Sequence, residues 1–418
     1  MPKIYISGGK PLSGDIELQG AKNSALPILA AAFMVKGRSV LHNCPNLTDV
    51  RAALKILSAL GCMCQVENNI VYIDSTQVSC CSISSELMRE MRSSVVFLGA
   101  ILARCGSATI TAPGGCELGP RPIDMHLKAM EELGFSVRES CGYITCKREK
   151  YNDYSEISLD FPSVGATENI ILASSVSKGR VVLNNAAKEP EICDLADFIN
   201  KAGGKVFGAG SDRIEIEGVS SLSAVEHTVI PDRIVAATYM SAASVTGGDI
   251  LIKNVCCEHI RAVIKTYNEM GCRIICSKDS MRIRSDGKLC RIKNLRSSVY
   301  PGFPTDGGPL LVASLIKARG TSTFVESIFE SRFNYVNELR RLGADIKVCN
   351  RVAVIDGVER LSGAELSCTD LRGGAAMVIA GLAAQGTTVI GKICHIERGY
   401  EDICSVLAKV GADISLKE

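Results

Sequence analysis

Apolar positions along this chain fall into runs of two kinds, and the runs recur in one order. NSALPILAAAFM, residues 23–34, is an apolar helix-like stretch, and GRSVLHN, residues 37–43, follows it as a strand. TDVRAALKILSALG, residues 48–61, then places Ala53, Leu54, Leu57 and Leu60 on one helical face. Thr48 stands where a cap would start that helix, and Gly61 where a glycine would end it. CMCQVENNIVYID reads as two short strands turning at Asn68-Asn69. The unit is α-β-α-β-β, preceded by a further short strand such as GDIELQG.

The unit repeats. A small or apolar residue followed by glycine recurs at Leu60-Gly61, Leu133-Gly134, Ala202-Gly203, Met270-Gly271, Leu342-Gly343 and Val410-Gly411, with glycine spacings of 73, 69, 68, 72 and 68. A second ladder, glycine before a β-branched run, lies at Gly37, Gly106, Gly179, Gly248, Gly320 and Gly386. Two ladders in step mean six copies of one unit. SELMREMRSSVVFLGAILA reads as the first helix of the second copy, and copies four to six begin near Pro231, Pro304 and Thr369. Strands alternating with helices predict an α/β protein whose sheets pack on helices, with three units in each of two domains.

Length agrees, since 418 residues exceed what one core commonly fills. Hydrophobic residues make up 46% and charged residues 22%, with no apolar run long enough for a membrane span and no apolar signal core in MPKIYISGGK, so a soluble cytoplasmic protein is expected. A net charge of +2 gives no general attraction to nucleic acid or to a membrane surface, and any anion must be bound locally. Nineteen cysteines without a CxxC pair or a signal peptide suit a reducing compartment, with most of the thiols acting as small core residues. In GCRIIC, alternation sends Cys272 and Cys276 to one face, the core face.

The junctions between elements carry the chemistry. PGGCELGPRPIDMH, residues 113–126, is too rich in glycine and proline for a helix or central strand, and it sets Cys116 beside Arg121. A guanidinium lowers a neighbouring thiol's pKa, so this is a place for a reactive cysteine; a tight turn that happens to carry one is the alternative. Glu189, Glu191, Glu330 and Glu397 stand where acidic residues favour helix starts, whereas Arg332 and Arg398 stand where a cation is disfavoured and so require an anionic partner. Ser163 to Thr167, before an apolar helix, is the candidate phosphate site through its backbone amides. Asp232, Asp306 and Asp370 are equally placed to be plain N-caps.

Cys256-Cys257-Glu258-His259 resembles a metal cluster, but adjacent cysteines rarely share one tetrahedral zinc and no second pair completes it, so no metal is expected. No GxxxxGK[ST], GxGxxG or GxSxG motif is present. A cysteine, a lysine, arginines and carboxylates on junctions of one repeated unit describe a site for multiply anionic small molecules.

At this point several motifs, LQGAKNSALPIL, PGGCELGPRPIDMH, PSVGATENIILA, EPEICDLADF, IPDRIVAATYM, FPTD, SIFESRF, TDLRGGAAMVIAG and HIERGYEDI, resemble the UDP-N-acetylglucosamine enolpyruvyl transferases, in order and from about residue 3 to 415. The resemblance implies a two-domain inside-out α/β barrel with three repeats per domain. One domain would span 22–230 with the cysteine loop 112–122, the other 1–21 plus 231–418, and the active site would lie in the cleft between them. The implied reaction moves the enolpyruvyl group of phosphoenolpyruvate to the 3′-hydroxyl of UDP-N-acetylglucosamine and releases phosphate, at the first committed step of peptidoglycan synthesis. It needs no cofactor, metal or obligate protein partner.

By the same resemblance Cys116 is the acid and forms the covalent adduct, also with the epoxide fosfomycin, while Asp306 is the base or orients the 3′-hydroxyl. Lys22, Arg121 and Arg398 would surround phosphate, and Arg372 with Arg398 would take the carboxylate. Asn23, Arg92, Arg121, Pro122, Ile123, Asp124, Met125, Ser163, Val164, Gly165, Asp306 and Ile328 would hold the sugar nucleotide, supported by His126, Glu189, Arg233, Arg332 and Asp370. Phe161 stands where some members carry lysine, and GGPLL follows Asp306 where amide-bearing residues are expected. Two other functions share these features: a silent nucleotide-binding paralogue, and the shikimate-pathway enolpyruvyl transferase, which lacks the PGGC cysteine.

Overall fold

In a computed structural model the chain is described over residues 2–114, 118–119 and 122–417. Cys116 and Arg121 lie outside the described residues. Among the described residues the strands form six open sheets, five of four strands and one of three, and none closes into a barrel. The six sheets correspond to the six copies, and the chain divides into two compact units.

One unit comprises residues 20–114 and 122–230. Its helices Lys22–Met34, Phe97–Cys105 and Val164–Ser175 pack on one another and are buried on nearly every side, which is why their sequences are apolar all round. Three sheets cover them: Glu226–Thr228, Arg38–His42, Ile70–Asp74 and Met63–Glu67; Ser107–Thr111, Tyr143–Arg148 and Phe135–Ser140; and Tyr154–Ser158, Arg180–Asn184, Arg213–Glu217 and Val206–Phe207. The unit of residues 2–19, 118–119 and 231–417 repeats the scheme around helices Arg233–Thr246, Gly308–Leu315 and Leu371–Ala383. Each unit has its own apolar core.

The glycines at 61, 134, 203, 271, 343 and 411 close helices with φ of +102°, +90°, +94°, +99°, +93° and +96°, a left-handed conformation that a side chain resists. That requirement is what the ladder records.

Several local expectations need correction. GDIELQG does not precede the first copy in its sheet: Ser13–Glu17 pairs in parallel with Asp249–Lys253, and the first copy is completed by Glu226–Thr228, parallel to Arg38–His42. Lys3–Ser7 likewise inserts between Thr387–Gly391 and Asp413–Lys417. Both amino-terminal strands thus complete the sheets of later copies, Ser13–Glu17 as a parallel neighbour and Lys3–Ser7 antiparallel to both of its neighbours.

SELMREMRSSVVFLGAILA is not one helix. It breaks at Met91, in extended conformation with φ −146°, into helix Ser85–Glu90, a 3₁₀ turn Arg92–Val96 and helix Phe97–Cys105. Thr48 is the first helical residue rather than the cap; Leu47 occupies the cap position, with no side-chain bond. Of the eighteen cysteines among the described residues, all free thiols, only Cys44, Cys62, Cys146, Cys272 and Cys368 are buried. Cys276 is exposed although it shares the face of buried Cys272, because its strand, Arg273–Cys276, is largely solvent-facing.

Candidate active-site residues

In the unit of residues 20–230 the candidates sit at helix starts. Lys22 is the first residue of its helix, its side chain 11% exposed, and its Nζ lies 3.2 Å from Asp49 Oδ2, itself buried. Asn23 follows, half-buried. Arg92, half-buried, opens the 3₁₀ turn Arg92–Val96. Pro122 and Asp124 are exposed, while Ile123 and Met125 pack against the core as the chain enters helix Asp124–Glu132.

Ser163 caps helix Val164–Ser175, its Oγ accepting from Ala166 N at 3.3 Å, so the amides of Val164 and Gly165 belong to the helix's open first turn. Gly165 lies against His126: a Cβ there would come within 3.1 Å of the imidazole Cε1. Farther along the same helix Glu168 is buried, and burial, then Glu191, then Glu189, push its carboxyl well above the ordinary range. Glu189 occupies the cap position of helix Pro190–Lys201 without a side-chain cap bond, and Glu191 falls in its first turn, as the macrodipole reading requires.

In the unit that contains residues 231–417 the cap expectation splits. Asp232 accepts from Ile234 N and Val235 N at 2.8 and 3.0 Å, and Asp370 from Arg372 N and Gly373 N at 3.1 and 3.0 Å, both as ordinary caps. Asp306 lies inside the 3₁₀ turn Thr305–Gly307 and not at a cap position, which Pro304 takes before that turn and Gly307 before the next helix. Its Oδ1 lies 2.7 Å from Arg332 Nη2 and its Oδ2 3.4 Å from Arg372 Nε, with both guanidiniums 2% exposed. Asp306 is the anionic partner that Arg332 demanded.

Arg372 is held further by Tyr400, whose oxygen accepts from Nη1 at 3.1 Å. Thr238 Oγ1 already donates to Ile234 O, so the 2.7 Å contact with Tyr400 runs from the phenol to the threonine. Burial alone would lower the pKa of Arg372, but Tyr400, Asp306 and Asp232 raise it overall, keeping the guanidinium charged. Its Nη2 is buried without a hydrogen-bond partner among the described residues.

Glu326, fully buried, accepts from Ser297 Oγ, Thr305 Oγ1, Ile328 N and Phe329 N at 2.8, 2.9, 2.8 and 3.2 Å, and so fixes the segments that carry Asp306 and Ile328. Arg233 stacks over Tyr300, 5.4 Å from its ring centroid. Arg398 ends a 3₁₀ turn, Ile393–Arg398, instead of starting a helix; the following helix, Ile403–Lys409, begins at its own cap, Asp402, so the dipole objection to this cation does not apply. The glycines after Asp306 have a packing cause: a Cβ at Gly308 would lie 2.9 Å from Phe324 Cζ, and one at Gly307 3.3 Å from Phe303 Cε1. Phe161 is exposed.

Sequence reasoning missed Asp49, Asn169, Glu326 and Tyr400. Only Asp49, an acid in the first turn of the Thr48–Ala59 helix, carried a local signal, and its lysine partner lies 27 residues away.

A family model described as EPSP synthase (3-phosphoshikimate 1-carboxyvinyltransferase) matches residues 6–407. The chain is 48% identical over 414 residues to UDP-N-acetylglucosamine 1-carboxyvinyltransferase 2 of Caldanaerobacter subterraneus and 45% identical over 414 residues to UDP-N-acetylglucosamine 1-carboxyvinyltransferase of Halothermothrix orenii, covering 99% of each chain in both cases. Among solved structures, the enolpyruvyl transferase NikO from Streptomyces tendae matches with a TM-score of 0.89 at 24% identity, over 100% of this chain and 99% of its own. EPSP synthase from Acinetobacter baumannii matches with a TM-score of 0.76 at 16% identity, over 100% of both chains. These structures share the fold.

Proposed function

Because the chain belongs to the enolpyruvyl transferase family, and within it to the UDP-N-acetylglucosamine 1-carboxyvinyltransferases, we propose that it moves the enolpyruvyl group of phosphoenolpyruvate to the 3′-hydroxyl of UDP-N-acetylglucosamine using the residues described above. The observation that carries the assignment of roles is the Asp306 cluster: a carboxylate bridging two buried guanidiniums, with Arg332 Nε and Arg372 Nη2 both buried and without a hydrogen-bond partner among the described residues. A spare buried guanidinium N–H is built for an anion's oxygen, and Arg372 takes the carboxylate of phosphoenolpyruvate.

The reaction is an addition followed by an elimination. Asp306 receives the 3′-hydroxyl proton as the oxygen bonds to carbon 2 of the enol, while Cys116 delivers a proton to carbon 3. Loss of a proton from carbon 3 and departure of phosphate then restore the double bond. Lys22, Arg121 and Arg398 stabilise the charge on the phosphate. Asn23, Arg92, residues 121–125, Ser163–Gly165 and Ile328 hold the sugar nucleotide, with the diphosphate on the open turn of helix Val164–Ser175. The supporting groups are His126, Glu189, Arg233, Arg332 and Asp370. Among the described residues no helix is long and apolar enough to cross a membrane, and the reading takes both substrates to be met free in the cytoplasm, without a protein partner or cofactor.

Phosphate release from phosphoenolpyruvate, measured with and without UDP-N-acetylglucosamine, tests the reading. The expected result is release that requires the sugar nucleotide, with a product heavier by one enolpyruvyl group; binding of the nucleotide without release would refute it. Cys116→Ser should abolish the fosfomycin adduct, and an adduct persisting on another thiol would remove Cys116 from its role.

A further inference from the structure

We propose that Asn169 is a positioning residue for the sugar nucleotide: it fixes His126 as the neutral tautomer protonated on Nε2 and turns that edge toward the start of helix Val164–Ser175. The proposal deepens the reading above, in which Ser163–Gly165 hold the diphosphate, and rests on it.

Asn169 is fully buried inside that helix, and its amide meets three partners on three other elements. Gly99 N, from helix Phe97–Cys105, lies 2.7 Å from Oδ1. Val95 O, from the turn Arg92–Val96, lies 3.0 Å from Nδ2. A backbone N–H only donates and a backbone carbonyl only accepts, so these two bonds fix which end of the amide is oxygen. The amide cannot be flipped without breaking both.

The second hydrogen of Nδ2 is then directed at His126 Nδ1, 2.8 Å away. That nitrogen must offer a lone pair, because a protonated Nδ1 would set two hydrogens face to face. His126, 7% exposed, therefore carries its proton on Nε2. The Cε1–Nε2 edge is the one that lies on Gly165, where an added Cβ would come within 3.1 Å of Cε1 and 3.4 Å of Nε2. A neutral N–H donor thus faces the same helix start as the amides of the first turn. Through its partners Asn169 also ties together three segments assigned to the nucleotide: the turn opened by Arg92, the helix entered through residues 122–125, and the start at Ser163.

The test begins with the unmutated enzyme. With only five histidines in the chain, nitrogen-15 spectra of histidine-labelled protein resolve each ring, and His126→Phe identifies the signals of His126. The expected pattern is a bare Nδ1 and a protonated Nε2, with addition of UDP-N-acetylglucosamine shifting the Nε2 signal. His126→Phe should raise the KM for the sugar nucleotide about tenfold, the worth of one hydrogen bond to a charged group, and leave the KM for phosphoenolpyruvate unchanged. Asn169→Asp presents only acceptors to the ring and should move the proton to Nδ1, with the same selective rise in KM.

A protonated Nδ1 in the unmutated enzyme overturns the proposal, whether or not the variants fold. An Nε2 signal indifferent to the nucleotide, in an enzyme that turns over, overturns the positioning role while sparing the transferase reading. Absence of nucleotide-dependent phosphate release is the separate failure of that reading.

Discussion

Helix starts in two copies of the repeat, at Ser163 and at Asp306, occupy corresponding places and are built on opposite electrostatic plans. At Ser163 the cap is a hydroxyl, the neighbouring ring is a histidine held to Asn169, and the buried acid one turn on, Glu168, has its carboxyl pushed up by burial. At Asp306 the helix gives up its side-chain cap, and the carboxylate joins two guanidiniums that are 2% exposed. The first plan offers an anion fixed dipoles without a net charge. The second holds full charges close together, an arrangement suited to the proton transfer proposed for Asp306. On the proposed assignment, one scaffold position would serve binding in one repeat and chemistry in another.

The largest effect expected from this contrast is on Asp306. Asp306→Asn keeps the shape and removes the proton acceptor, so kcat should fall by roughly 10²–10⁴, the usual span for general-base catalysis, while the sugar nucleotide's Kd changes little. Steady-state kinetics and calorimetric titration check it; an unchanged kcat would reduce Asp306 to a counter-ion for Arg332. Next comes stability. Arg332→Leu should cost about 3 kcal/mol, the low end for breaking a buried pair, because the Asp306 side chain is 29% exposed. Ser163→Ala should cost about 1 kcal/mol, the worth of a cap. Urea unfolding of both variants measures the ratio, and equal losses would erase the distinction between the two starts.

The repeat and the caps were legible because their rules are local. Six helix ends need a left-handed residue, so six glycines keep step, and Asp232 and Asp370 cap by reaching two or three residues along the chain. Asp306 looks identical to them in the sequence, and what makes it different lies 26 and 66 residues away, in Arg332 and Arg372. Asn169 reads as a polar interruption of the apolar run TENIILA, and its partners are up to 74 residues distant. The glycines after Asp306 looked like a departure from the family pattern until Phe324 and Phe303 proved to fill the space a side chain would take. Long-range packing, not local propensity, decided the parts played by Asp306, Asn169 and the two glycines.

A last test, read within any one pH unit as a small effect, asks whether the Ser163 start stays neutral where the chain places an acid. Glu168 is buried, and its carboxyl is raised by burial first and by Glu191 and Glu189 after it. A carboxyl whose folded pKa exceeds its unfolded one binds a proton on folding, so its contribution to stability is complete below the ordinary glutamate range and is lost as pH rises toward the folded value. Glu168→Gln mimics the protonated form and removes that dependence. Relative to the unmutated protein, the variant should gain stability as pH is raised above the ordinary glutamate range, by at most about 1.4 kcal/mol per pH unit, the slope of one proton. Melting curves across pH measure the difference. A constant gap between the two proteins would mean that Glu168 is ionised beside Asn169, and that the helix start chosen for the diphosphate carries a negative charge one turn away.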